Sequence, residues 1–368
     1  MPSNSRPVRP GSTFALRRTP FTAVVGGLGA LVLTASLAGC GGGSGASEAP
    51  VVTVYSADGL KGVKNDGWYD QVFADFEKET GIKVTYAEGG SGEMVDRAAG
   101  EKDNPRADVI IALPPYIQHA ERLGLLAPYE PKGSERVHGS GKSTRDRWVS
   151  VVNNYFGFVY NTKELKDPPV TWEELLDPKY EGKLQYSTPG VAGDGTGLLI
   201  KAMEDFGGEK PAMDYLRKLE KNNIGPTPST FKLAAKVDKG EILVANGDVQ
   251  TNFEQSKSLP NLGIWFPARE GGEPTTFAMY YGAGLAEGAP HSENGKKLLD
   301  HMLTEKAQKQ VSGIGGGFPA RTDVRPTDEN AIELAGLMDG IQLFEPNWQR
   351  IEPSLDGYID SWKDATGN

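Results

Sequence analysis

The chain is short of the residues on which much site chemistry depends. Its 368 residues hold one cysteine and four histidines. A single cysteine excludes internal disulfides and thiolate metal sites. The histidines, His119, His138, His291 and His301, lie outside every loop singled out below. There is also no Gly-x-Ser-x-Gly elbow and no His-Glu-x-x-His pair, so a Ser–His or zinc hydrolase would lack its base or its ligands. Positive charge is scarce too, with 39 Lys and Arg against 49 Asp and Glu and a net charge of −10. That balance argues against nucleic acid as a partner and confines any anion site to local geometry. No internal repeat and no heptad run is present.

The one long apolar run, Phe21 to Leu37, stands at the N-terminus. It follows a segment with four arginines and no acid, and it leads into Leu37-Ala38-Gly39-Cys40. A basic start, an apolar middle and small residues at the end make a secretory signal. The alternative, a membrane-spanning anchor, is marginal at this length. Leu37 to Cys40 resembles the lipobox of bacterial lipoproteins, which implies cleavage after Gly39 and lipid on Cys40. Residues 1–39 are thus read as signal peptide and 40–50 as a flexible tether of linker composition. Cleavage removes four arginines and no acid, which takes the net charge from −10 to −14. The expected location is the extracytoplasmic face of the cell membrane.

The remaining length suffices for two lobes with sizeable cores. Val51 to Tyr55 reads as a strand, Trp68, Val72 and Phe76 as a helix face ended by Gly81, and Ile82 to Tyr86 as a second strand. Ala107 to Ala112 gives a third strand. Strand and helix alternate, which predicts an α/β architecture with mainly parallel sheets flanked by helices. Ligands of such sheets sit beyond the carboxyl ends of the strands. Those ends are Ser56 to Asp58, Gly89 to Glu93 and Leu113 to Tyr116.

Glu88-Gly-Gly-Ser-Gly-Glu93 is a glycine-rich strand-to-helix turn with Ser91 placed as N-cap. It is either an ordinary turn or an anion cradle built on helix N–H groups and glycine backbone, with Gly92 in its first turn. The same grammar recurs at Ser187-Thr-Pro-Gly-Val-Ala-Gly-Asp-Gly-Thr-Gly197, ahead of a helix carrying Leu198, Leu199 and Met203. Gln250 to Ser256 reads as a polar loop holding Glu254. Tyr280 and Tyr281 suit either a cleft or a core. Expected boundaries are 51–150 plus 270–368 for the first lobe and 151–269 for the second.

Thr171-Trp-Glu-Glu-Leu-Leu-Asp-Pro-Lys-Tyr-Glu-Gly-Lys183 and Phe318-Pro-Ala-Arg321 resemble signature segments of bacterial periplasmic solute-binding proteins of the iron(III)-binding, type II kind. Val54 to Leu60, Gly89 to Glu93, Asp108 to Tyr116 and Ser187 to Gly197 are most similar to the 2-aminoethylphosphonate receptors of that family. The resemblance implies a two-lobed fold with a ligand cleft between the lobes. It implies a binding protein, not an enzyme, working as a monomer with ABC permease subunits and needing no cofactor. The ligand it implies is a small zwitterion. Ser56, Ser91, Gly92, Ser187, Thr188 and Thr196 would serve the phosphonate. Asp58, Asp194 or Glu254 would serve the amine, with Tyr155 or Tyr281 offering an aromatic face. Asp194 equally suits a helix cap. Ser56 and Asp58 stand where iron-binding relatives carry an early metal ligand, so no metal site is assigned; a receptor for ferric ion or another small anion or metal is the alternative.

Overall fold

Trp68, Tyr69, Val72 and Phe76 fall on one stripe of a 13-residue helix and are fully buried. The helix starts at a Gly67 cap whose N–H donates to Asp70, and it stops at Gly81, which takes a left-handed conformation (φ 73°). This is α1 (Trp68–Thr80) of a computed structural model that describes residues 50–368 apart from 63 and 65. The expected signal peptide, Cys40 and all but the last residue of the tether lie outside the described residues. Among the described residues no helix is long and apolar enough to cross a membrane.

The chain runs β1 (Val51–Ala57), α1, β2 (Lys83–Gly89), α2 (Ser91–Gly100), β3 (Val109–Ala112), α3 (Tyr116–Arg122) and β4 (Val149–Asn153). It then crosses into a second lobe with β5 (Phe156–Asn161), β6 (Leu184–Gln185), α4 (Gly193–Asp205), α5 (Glu209–Leu219), α6 (Leu233–Asp238), β7 (Val244–Asp248), α7 (Val249–Ser256) and β8 (Leu262–Trp265). After β9 (Thr275–Thr276) it returns through β10 (Tyr281–Leu285), α8 (Ser292–Met302), β11 (Phe318–Pro319) and β12 (Gln342–Leu343).

Six strands form the first sheet in the order β11-β4-β10-β3-β1-β2, and four form the second, β6-β7-β5-β8. Both sheets are mixed. β1 pairs in parallel with β2 and β3, whereas β10 and β4 run antiparallel to their neighbours. In the second sheet only β6 and β7 are parallel. The expected excess of parallel pairing therefore holds only where helices separate successive strands. Strands that carry the chain between lobes enter without a crossover helix and pair antiparallel.

The hinge is narrow. Tyr155 bridges Ala278, the Phe156 N–H donates to the Phe277 carbonyl and the Met279 N–H donates to the Asn154 carbonyl. Crossing thus occurs at Asn154–Tyr155, after β4 has completed the first sheet, a few residues beyond the expected boundary at 150/151. The C-terminal segment also departs from its expected place in the first lobe. Its last helix, Leu355–Thr366, packs on α5 and α4 of the second lobe, and Trp362 donates to the Tyr186 hydroxyl.

Candidate ligand-binding cleft

The loop after β1, the starts of α2, α4 and α7, and β10 converge between the lobes. Contact there is direct. A side-chain carbon at Gly90 would lie 2.4 Å from the Val191 carbonyl oxygen, and one at Gly92 would lie 2.5 Å from that of Gly190. The Tyr116 hydroxyl of the first lobe meets Thr196 Oγ1 of the second at 2.8 Å. The two glycine-rich turns thus abut in a closed arrangement.

Several expected ligand hydroxyls are engaged by protein in this arrangement. Ser91 is not the cap of α2, which is Gly90; its Oγ accepts from the Leu113 N–H at 3.1 Å. Thr196 Oγ1 also accepts from the Gly190 N–H at 3.0 Å. Ser56 is buried, donates to the Ala57 carbonyl and meets the Tyr69 hydroxyl. Ser187 is tied to Asn246. Thr188 is half-buried, its N–H bonded to the Thr227 carbonyl.

The carboxylates separate clearly. Asp58, Asp194 and Asp248 form one cluster, with Asp58 from the first lobe and the other two from the second. Burial, then Asp248, Glu88 and Glu93, push the Asp58 carboxyl up to about 7. Burial, then the charges of Asp248 and Asp58, raise Asp194 well above the ordinary carboxylate range. Asp248 is raised by burial, opposed chiefly by the Thr251 N–H, which it accepts at 2.6 Å as the cap of α7. Both acids of this second-lobe pair are thus raised, chiefly by burial. Asp194 does not cap α4: Ala192 occupies the cap position, without a side-chain bond. No basic side chain is among the groups that chiefly shift these three acids. Glu254 lies apart. It packs on Gly316 of the first lobe, and its acidity is governed by burial and Asp66.

Tyr281 stands at the centre of the cluster. It is fully buried, and its hydroxyl is 3.0 Å from both the Asp58 carbonyl and Gln250 Oε1. Gln250 Nε2 in turn donates to the Gly59 and Gly315 carbonyls, so one side chain of α7 binds two loops of the first lobe. Gly59 has φ +110°, and a side-chain carbon there would press on Tyr281 and Thr251 at 2.7 and 2.8 Å. Tyr280 points the other way, stacked on Trp148 and accepting from Gln118. Strand alternation therefore prevents the adjacent tyrosines from gripping one ion. Tyr155 also faces away from the acids and lines a cleft of about 530 Å³ with Tyr280 and Trp348. Among the described residues, no group of three or more His, Cys, Asp or Glu could hold a metal ion.

Asp248, Asn154 and Gln250 were not expected from the sequence. What hid Asp248 and Gln250 is that Gln250 to Ser256 reads as a polar loop but lies in the helix α7. Its one visible signal was Asp248 followed three residues later by Thr251, a short cap spacing.

Residues 62–309 match the family described as bacterial extracellular solute-binding protein. The chain belongs to that family. This solute-binding protein is 45% identical over 316 residues, 86% of its length and 92% of the relative's, to a Salmonella paratyphi A protein named "Putative 2-aminoethylphosphonate-binding periplasmic protein". It is 25% identical over 318 residues, 83% of its length and 85% of the relative's, to iron uptake protein A1 of Synechocystis. Its fold matches that of the periplasmic binding protein AfuA from Actinobacillus pleuropneumoniae, solved with fructose-6-phosphate. The TM-score is 0.75 at 22% identity, covering 86% of this chain and 99% of that one. Its relatives are substrate-binding proteins rather than enzymes, in keeping with the expectation of a receptor without catalysis.

Proposed function

We propose that this solute-binding protein captures 2-aminoethylphosphonate outside the cytoplasm and delivers it to the permease of an ABC importer, working as a monomer held at the membrane by a lipid on Cys40. The observation that carries the reading is the cluster of Asp58, Asp194 and Asp248. Two buried acids and the half-buried Asp58, from two lobes and with no basic residue acting strongly on them, call for a ligand that brings its own cation. The orphan N–H groups in the first turns of α2 and α4 favour an anion at its other end. A small zwitterion with a phosphonate and an amine satisfies both. The 45% identical Salmonella relative bears a name of the same ligand class. The name of the Synechocystis relative suggests a ferric receptor instead, but the divergence of Tyr280 and Tyr281 disfavours it.

Calorimetry and thermal melting of the compact unit, Glu48–Asn368, test the reading. Expected is a rise in melting temperature with 2-aminoethylphosphonate, larger than with phosphate, spermidine, thiamine or ferric citrate. A response to ferric citrate alone would replace the reading with a metal receptor.

A further inference from the structure

Seven buried side-chain atoms among the described residues have no hydrogen-bond partner, and three of them flank the carboxyl cluster. These are Asp194 Oδ1, Asn154 Nδ2 and Asn252 Nδ2. Asp194, Asn154 and Asn252 are 5%, 0% and 4% exposed. Asn154 sits beside Asp248, and Asn252 lies one turn along the helix that Asp248 caps. A buried donor or acceptor without a partner is costly, so a cleft with both kinds is completed by something that binds there. The lobes also divide the acids between them. Closing brings Asp58, on the loop after β1, against Asp194 and Asp248, on the starts of α4 and α7. Three carboxyls brought together away from water repel unless a cation or protons offset them.

Building on the phosphonate reading above, we infer that the ligand's amine gates closure. Asp194 and Asp248 of the second lobe, facing Asp58 of the first, make an ammonium the condition for the lobes to meet, and so select aminated phosphonates over phosphonates of the same length without an amine. An alkylammonium has three N–H donors and no acceptor, which suits the open lone pair of Asp194 Oδ1 and the negative field of the neighbouring acids. Asn154 Nδ2 and Asn252 Nδ2 remain as donors for the phosphonate oxygens. Glu88 and Glu93 also act on Asp58, and Tyr86 and Tyr281 lie in the field of these acids, with Tyr69 beside Tyr281. None is a cation, so the amine has no competitor within the protein.

The test compares 2-aminoethylphosphonate with ethylphosphonate, by calorimetry for affinity and small-angle scattering for closure. The proteins are the wild type, Asp194→Asn, Asp248→Asn and Asp58→Asn. Asn at 248 can still cap α7, and Asp58→Asn probes the cluster from the opposite lobe without touching a helix start. Wild type is expected to prefer the amine by about 100-fold and to contract only with it. Each variant is expected to lose about 10- to 100-fold toward 2-aminoethylphosphonate and little toward ethylphosphonate, so that the preference collapses. Variants that melt like wild type yet keep its preference would overturn the inference alone. Contraction of wild type with ethylphosphonate would do the same. Wild type that binds neither compound would overturn the phosphonate reading, and this inference with it.

Discussion

Two glycine-rich turns built on one grammar end in different roles. In the first, Gly90 and Gly92 press on backbone of the opposite lobe, and Ser91 stitches α2 to the loop after β3. In the second, a side-chain carbon at Gly195 would lie 2.4 Å from the Ser187 carbonyl oxygen and 2.5 Å from the Thr188 carbonyl carbon, both in its own lobe. Gly90 and Gly92 serve closure, and Gly195 serves the fold. The second turn alone carries a buried acid with an unpartnered oxygen, Asp194. Similar sequences thus set a contact on one side and a buried, unpartnered carboxyl on the other. What separates them is whether the nearest backbone belongs to the same lobe.

Paired substitutions test that difference. Gly195→Ala is expected to destabilise the ligand-free protein by about 3 kcal/mol, read as a lowered urea midpoint, because no domain motion relieves an overpacked site. Gly90→Ala is expected to weaken 2-aminoethylphosphonate binding by about 2 kcal/mol, roughly 30-fold, while the ligand-free melting temperature stays unchanged, since opening the lobes removes the clash. If Gly90→Ala melts as low as Gly195→Ala, the two turns do not differ in the way described.

A smaller effect comes from Asp58. Its carboxyl is raised to about 7, so the closed protein holds a proton that an unfolded chain gives up near the ordinary 3.8. The folded form binds more protons across that window, and stability attributable to this group falls as pH rises from about 4 to 7. An ammonium beside Asp58 favours the charged form and expels the proton. Binding is therefore expected to release up to one proton per ligand near pH 6, and almost none above pH 8, measured by calorimetry in buffers of different ionisation enthalpy. Proton uptake on binding would contradict the placement of the amine. The smallest expected change is Thr196→Val, which removes the hydroxyl bond to Tyr116 across the lobes. It should cost about 1 kcal/mol of affinity, close to a fivefold rise in Kd.

Much of this cleft was legible in the chain. Asp58, Ser91, Asp194 and Thr196 lie on loops or helix starts that the structure gathers between the lobes, whereas Ser56 falls within β1 and is bonded to Tyr69 of α1. Three features were not legible, each for a physical reason. Asp248 and Gln250 were hidden because α7 shows only Val249 and Phe253 as apolar markers, too few to give a helical period. Tyr155 and Tyr281 are both plausible aromatic faces by type, but which face of a strand a side chain takes depends on register, and only Tyr281 turns toward the acids. Glu254 sits on the same helix as Asp248, yet one and a half turns place it against Gly316 and Asp66.

The tail of the chain sets a limit on how far the molecule can swing. Glu352, almost fully buried, is gripped by His119 at 2.6 Å and by the Arg122 guanidinium at 2.6 and 2.8 Å, both on α3 of the first lobe. A few residues later the same segment lies along α5 of the second lobe, with Ile359 resting on Gly190 beside the closing contact. The polypeptide therefore spans the mouth as well as the hinge. Between the Glu352 anchor and the Leu355–Thr366 helix there is almost no slack, so wide gaping must first tear an ion pair away from α3. A leash running from α3 to α5 therefore ties the lobes together a second time, apart from the hinge.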